Sequence, residues 1–306
     1  MNIFLAGATG ALGKPLTRAL VAAGHHVHGT TRSRPEEVSA LGAVPVVLDA
    51  LDRDAVRAAV LDARPEVVVH QLTAIGKLDA RNPDKSFAAT NRLRTEGIDI
   101  LLAAAREAGA RRFVAQSFAG WPYARTGPRA KDEAAALDPA PPKGLRATHA
   151  AIRHLETAVL AADGIVLRYG GFYGPGTSMA PGGDQYEAVR ARKMPLPGEG
   201  SGIWSLVHVD DAAAATVAAI ERGEPGIYNV VDDEPAPVRE WIPALADAIG
   251  AKPPRRLPAW LARLALGPAG WALLNESRGA LNGKARRELG WQPAHPSWRQ
   301  GFASMT

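Results

Sequence analysis

The chain has 306 residues, 46% of them hydrophobic and 22% charged, with a formal charge of +5 and no cysteine. This is the composition of a globular protein of one large or two small domains, and it excludes disulfide frameworks, thiolate zinc sites and thiol nucleophiles. Its basic residues are scattered, with no run of five like charges and no nucleic-acid motif, so the surplus reads as solvated surface with some attraction for anionic ligands.

Residues 2–6, 26–30, 44–48, 67–70, 112–116 and 165–168 read as strands. Residues 14–23, 52–63, 91–108 and 147–162 are rich in Ala, Leu and charge at helical spacing. Strands alternating with helices of this length predict βαβ units and a parallel sheet. The uniformly apolar Val67, Val68 and Val69 suit a strand buried on both faces. After residue 171 Pro and Gly punctuate the chain, and helices dominate from residue 238. Residues 125–143 read as a long loop over the sheet edge. Residues 257–275 are the most apolar late stretch, but Pro258, Arg263 and Pro268 divide it into two short helices rather than a span. The N-terminus has neither the basic region nor the cleavage site of a signal peptide. No membrane partner is expected, and the expected location is the cytoplasm.

The most informative segment is the first turn. Gly7, Gly10 and Gly13 follow a strand and open a helix. Such glycines permit a tight turn, close approach of backbone to a pyrophosphate, and close helix–strand packing, with free N–H groups at the helix start facing the phosphates. Gly7, Thr9, Gly10, Ala11, Leu12 and Gly13 are therefore expected to bind a dinucleotide. An acid at the end of the second strand would hold the ribose 2′-hydroxyl of NAD. Here that position is Thr31, followed by Arg32, Ser33 and Arg34. Arg32 and Arg34 suit a 2′-phosphate, so NADP is expected in preference to NAD.

With these residues the chain resembles a short-chain dehydrogenase/reductase of the extended or atypical type, the NAD-dependent epimerase/dehydratase group. The resemblance extends through Val46–Asp49, His70–Ala74, Asn91, Arg112–Ser117, Leu167–Gly176, Val207–Asp211 and Tyr228–Val230. It implies an α/β fold: a doubly wound Rossmann sheet in residues 1–170, with 203–232 returning to it, and a smaller substrate-binding part from 171–202 and 233–306. It further implies Asp49 and Ala50 by the adenine, and Leu72, Thr73 and Ala74 by the nicotinamide ribose. Gly171 and Phe172 would frame the nicotinamide, and Ser117 would be the hydroxyl at the catalytic position, also beside the cofactor. His208, Asp210 and Asp211 are structural by the same analogy.

One departure is large. The family's tyrosine acid and the lysine four residues later, aligned on Glu156, fall on Thr148 and Ile152, and no Tyr-x-x-x-Lys occurs anywhere. Three substitutes are open. One is Tyr123 on the loop after Ser117, with Lys131 depressing its pKa; another is the pair His149 and Arg153; the third is no side-chain acid beyond Ser117 and water. On the substrate side Trp204 stands where nucleotide-sugar members carry an arginine. With Phe118, Trp121 and Met179 it predicts a hydrophobic or aromatic ligand. No histidine or carboxylate spacing points to a metal.

The expected function is NADP-dependent oxidoreduction of a small hydrophobic or aromatic carbonyl or alcohol, with Ser117 and Tyr123 at the catalytic centre. The alternatives are an epimerase, dehydratase or isomerase with retained cofactor, and a non-catalytic NADP-binding sensor. A homodimer is possible through the helices at 91–108 and 147–162.

Overall fold

The computed structural model describes residues 1–75 and 79–304. Their largest sheet has seven parallel strands: β1 (Asn2–Ala6), β2 (His26–Thr31), β3 (Val44–Val47), β4 (Val67–His70), β5 (Arg112–Phe118), β6 (Ile165–Tyr169) and β7 (Gly226–Val230). Their spatial order is β7-β6-β5-β4-β1-β2-β3. The order reverses at β1, and such a switch point leaves a crevice beyond the carboxyl ends of the strands.

Both faces are covered. On one, α1 (Gly13–Ala22) and α5 (Val209–Arg222) bury Leu16, Leu20, Ala212 and Ala219 against Ile3, Leu5, Val69 and Leu167. On the other, α2 (Arg53–Ala63), α3 (Ile98–Glu107) and α4 (Arg146–Ala161) bury Val56, Val60, Ile98, Leu101, Leu155 and Val159 against Phe4, Val68, Phe113 and Val166. The two valine faces of β4 thus enter different cores, which is why its sequence does not alternate.

The helix expected over 91–108 is broken differently. Residues Ala88–Arg92 are α-helical, Leu93–Gly97 form a π-turn, and α3 follows. A π-turn inserts an extra residue per turn and rotates the side chains after it, a distortion found most often at functional sites.

Residues 171–204 and 232–304 form α6 (Val238–Ala248) and α7 (Ala259–Asn275) and supply most of a third core holding Tyr173, Met179, Trp241, Trp298 and Phe302, while Ala285, Leu289 and Trp291 return to the first core of the sheet. Helix α7 is two helical pieces across Gly267, whose φ is +65°, followed by Pro268. A two-residue strand ties this part to the rest, Gly279–Ala280 with Ala130–Lys131, and a second pair, Ile203–Trp204 with Ala236–Pro237, joins its two segments.

Candidate active site

The first turn is as tight as its glycines imply. Gly7 has φ +101°, and a Cβ there would lie 2.9 Å from the Gln71 carbonyl oxygen. A Cβ on Gly13 would lie 2.0 Å from the Gly7 carbonyl oxygen. The Gly7 N–H donates to Thr30 Oγ1 at 3.0 Å, fixing the loop to β2.

Beside the loop is a cleft of about 340 Å³. It brings together Gly7, Thr9, Thr31, Arg32, Asp49, Ala50, Leu72, Thr73 and Ala74, all expected from sequence. It also draws on Thr30, Leu48, Leu51, Ala89, Arg92 and Leu93, which sequence reasoning missed. The first three neighbour predicted residues on the same strand ends. Ala89, Arg92 and Leu93 come from the helix ahead of α3, whose approach no local motif announces.

Of the remaining expected cofactor residues, Gly10 and Ala11 are exposed at the mouth of α1, whereas the Leu12 side chain is buried in the core. The two arginines separate. Arg34 donates to the Thr9 carbonyl oxygen at 3.3 Å and to Thr9 Oγ1 at 3.2 Å, and pairs with Glu37. Arg32 is exposed on the cleft and has no side-chain hydrogen bond or ion pair among the described residues. A tight glycine loop at a helix start, with a cleft at the switch point, fits a dinucleotide.

Between α4 and the carboxyl ends of β5 and β6 lies a buried polar layer. Ser117 is 1% exposed, and its hydroxyl donates to Glu156 Oε1 at 2.7 Å. Arg168 donates to both oxygens of that carboxylate, at 2.8 and 2.6 Å. Burial opposes the Arg168 charge, but the hydrogen bonds and charge of Glu156 hold the guanidinium more firmly protonated than usual. Strand alternation explains the placement: Ser117 and Arg168 are register partners on β5 and β6, on the α4 face. Ser117 is thus turned down into the fold, and the next residue, Phe118, is the one that lines a cavity.

Tyr123, expected as a proton donor above the cofactor, is fully buried. Its hydroxyl donates to Asn229 Oδ1 and accepts from Arg168 Nη1 at 3.4 Å. Burial pushes the phenol up to about 12, against the pull of Arg168. Lys131 donates to the Thr126 carbonyl oxygen. The tyrosine is a packing and bridging residue because the loop folds inward at Gly120, where φ is +94°.

The family's tyrosine and lysine positions sit on α4. Thr148 donates its hydroxyl to Asp84 Oδ1 at 2.6 Å and accepts from Asn91 Nδ2 at 3.1 Å. Asp84 also caps α4 by accepting from the Ala147 and Thr148 N–H groups. Ile152 is fully buried. His149 and Arg153 instead share a groove with Pro139 and Pro141, and burial pulls the His149 imidazole down to about 4.

Phe118, Trp121, Gly171 and Trp204 line one small cavity. Phe118 and Phe87 flank Trp121, with ring centres 5.5 and 6.4 Å away. Met179 is buried just behind Gly171. The Trp204 N–H donates to the Leu273 carbonyl oxygen at 2.9 Å, and its ring leans on Trp241 at 5.2 Å. Phe172 packs on Tyr169, centre to centre 5.4 Å. His208, Asp211 and His295 also cluster, but Asp211 accepts from the Ala294 N–H, the His295 N–H and the His295 ring. His208 Nδ1 accepts from the Asp210 N–H at the start of α5.

Comparison with known proteins agrees with this geometry. The family model described as the NAD dependent epimerase/dehydratase family matches residues 3–230. The chain belongs to that family. It is 51% identical over 307 residues to a 3-diazoavenalumate denitrifying reductase of Streptomyces sp., covering 99% of each chain. It is 30% identical to a 2-alkyl-3-oxoalkanoate reductase of Stenotrophomonas maltophilia, covering 82% of this chain and 76% of the relative. Among solved structures, a UDP-glucose 4-epimerase of Thermus thermophilus in complex with NAD superposes with a TM-score of 0.76 at 25% identity, covering 99% of this chain and 97% of that one. The chain is an NAD(P)-dependent oxidoreductase of the short-chain dehydrogenase/reductase type, from a family that binds a nicotinamide cofactor. No helix of the described residues is long and apolar enough to cross a membrane.

Proposed function

We propose that this member of the epimerase/dehydratase family is an NADPH-dependent reductase that acts on a diazo-bearing carboxylate with an apolar body and expels the nitrogen. The observation that carries the reading is the fate of the hydroxyls around the family's acid/base position. Ser117 serves Glu156, Tyr123 serves Asn229, and Thr148 serves Asp84. A carbonyl reductase must protonate an alkoxide as it forms. When bound, the nicotinamide supplies a hydride, and if the acceptor is a diazonium, that hydride ends in a C–H bond while nitrogen leaves as neutral N2, so charge balances with no added proton. The Streptomyces relative's name supports this acceptor.

The chain's own residues then bind, orient and exclude water. Gly7 to Gly13 and the start of α1 hold the pyrophosphate, and the unpaired Arg32 takes the 2′-phosphate. Phe118, Trp121 and Trp204, backed by Met179, form the apolar wall for the substrate, and residues 171–202 and 233–306 make up the substrate-binding part.

Two measurements test this. NADPH oxidation with a 15N-labelled diazo carboxylate should release labelled N2 in equal amount. Turnover of 3-oxo acids with no nitrogen release from the diazo compound would replace this reading with a ketoreductase. Arg32→Ala should weaken NADPH binding at least tenfold and leave NADH unchanged; tighter NADH than NADPH binding by the unmodified protein would overturn the NADP assignment.

A further inference from the structure

Arg94 lies in the π-turn, 3% exposed, and its guanidinium forms no hydrogen bond or ion pair among the described residues; Nη1 is buried and unpartnered. A buried cation without a partner is costly and calls for a reason. Glu156 is near enough to favour the charge, but both its oxygens are taken by Arg168 and Ser117. Burial pulls Arg94 down to about 10, which leaves it a cation at neutral pH.

Its surroundings repeat the pattern. His70, which feels the Arg94 charge, has a buried Nδ1 without a donor, and Asn91 Oδ1, one turn before Arg94, is likewise a buried acceptor without one. The stretches that carry them, at 70 and 91–94, are joined where His70 Nε2 meets the Leu93 carbonyl oxygen at 3.2 Å. Both stretches run directly into the cleft wall at Leu72 and Leu93. Asn91 reaches the tyrosine position, Thr148. One turn later along the same helix, Arg94 comes within electrostatic reach of Glu156, itself one turn beyond the lysine position, Ile152, on α4.

We propose that Arg94 replaces the family's missing lysine, supplied from the neighbouring helix: its guanidinium holds an oxygen of the nicotinamide ribose, and the ribose hydroxyls donate to the unpartnered acceptors around it. A cation with adjacent acceptors matches a group that both accepts and donates hydrogen bonds, as a ribose does. The proposal rests on the cleft being the nicotinamide nucleotide site and is independent of the diazo substrate.

The test compares NADPH with adenosine 2′,5′-bisphosphate, which lacks the nicotinamide ribose, by calorimetry on the full chain. Arg94→Met should weaken NADPH binding on the order of tenfold to a hundredfold, the range of a hydrogen bond to a charged group, and leave the bisphosphate unchanged. Arg94→Lys should recover most of the loss. Because the methionine variant removes an unpaired buried charge, its melting temperature should equal or exceed that of the unmodified protein. Unchanged NADPH affinity, equal weakening of both ligands, or a drop in melting temperature would each overturn the proposal and make Arg94 a structural residue. If the unmodified protein binds neither nucleotide, the cofactor site itself is wrong and the proposal falls with it.

Discussion

Glu156 and Arg168 are both almost wholly buried, and removing either leaves the other charged and unpaired. Glu156→Ala should therefore cost about 3–5 kcal/mol, read as a shift of the urea midpoint at unchanged slope; a loss below 1 kcal/mol would mean water reaches the pair. His70 gives a pH prediction. Burial holds its imidazole at about 4, below the 6.5 of an unfolded chain. The unfolded state thus binds the proton first as pH falls, and stability present above pH 6.5 is lost between 6.5 and 4. The loss is about 3 kcal/mol. His70→Gln, which keeps a donor for Leu93, should flatten that part of the stability profile; an unaltered slope would assign it to other groups. At this scale the sequence reveals residue type and spacing but not burial. That Gly7, Thr31, Asp49 and Leu72 line the cleft is legible because a strand's end defines where they point. The burial of Ser117 and Tyr123 is not, because their partners decide it, and Glu156 and Asn229 lie 39 and 106 residues away.

Among the elements, α4 presents Thr148, Ile152 and Glu156 at four-residue spacing to the interior, all buried. That alignment was readable from the sequence, including the absence of tyrosine and lysine. Restoring the lysine is expected to fail: Ile152→Lys would bury a second unpaired cation near Arg94 and should destabilise the fold by about 3 kcal/mol or more. A variant as stable as the parent in denaturant unfolding would show that Arg94 lies farther away than its electrostatic coupling to Glu156 implies. The π-turn is not legible in the sequence, because the apolar spacing from 91 to 108 fits an unbroken 3.6-residue period. The sequence around Arg94 has no proline or glycine pair to announce the change, and Gly97 comes only at its end.

For the whole molecule, the order of strands and helices followed from alternating patterns, each long enough to carry a period. The substrate side is less legible because its strands are two or three residues long, too short for alternation. Asp211 is one anchor of the C-terminal segment, through three N–H donors from residues 294 and 295. Asp211→Ala should cost about 3 kcal/mol and open residues 291–304 to limited proteolysis; cleavage no faster than in the parent would shift the role to Trp298 and Phe302.

The borders of the main sheet have a consequence for self-association. On β3, Leu48 donates inward to Thr31, so by alternation Pro45 faces the free side, where it has no N–H to offer. On β7, the outward Asn229 N–H is taken by Glu133 and the outward Ile227 carbonyl by Lys284. Each border therefore has outward backbone groups that cannot pair with an added strand, which works against edge-to-edge association there.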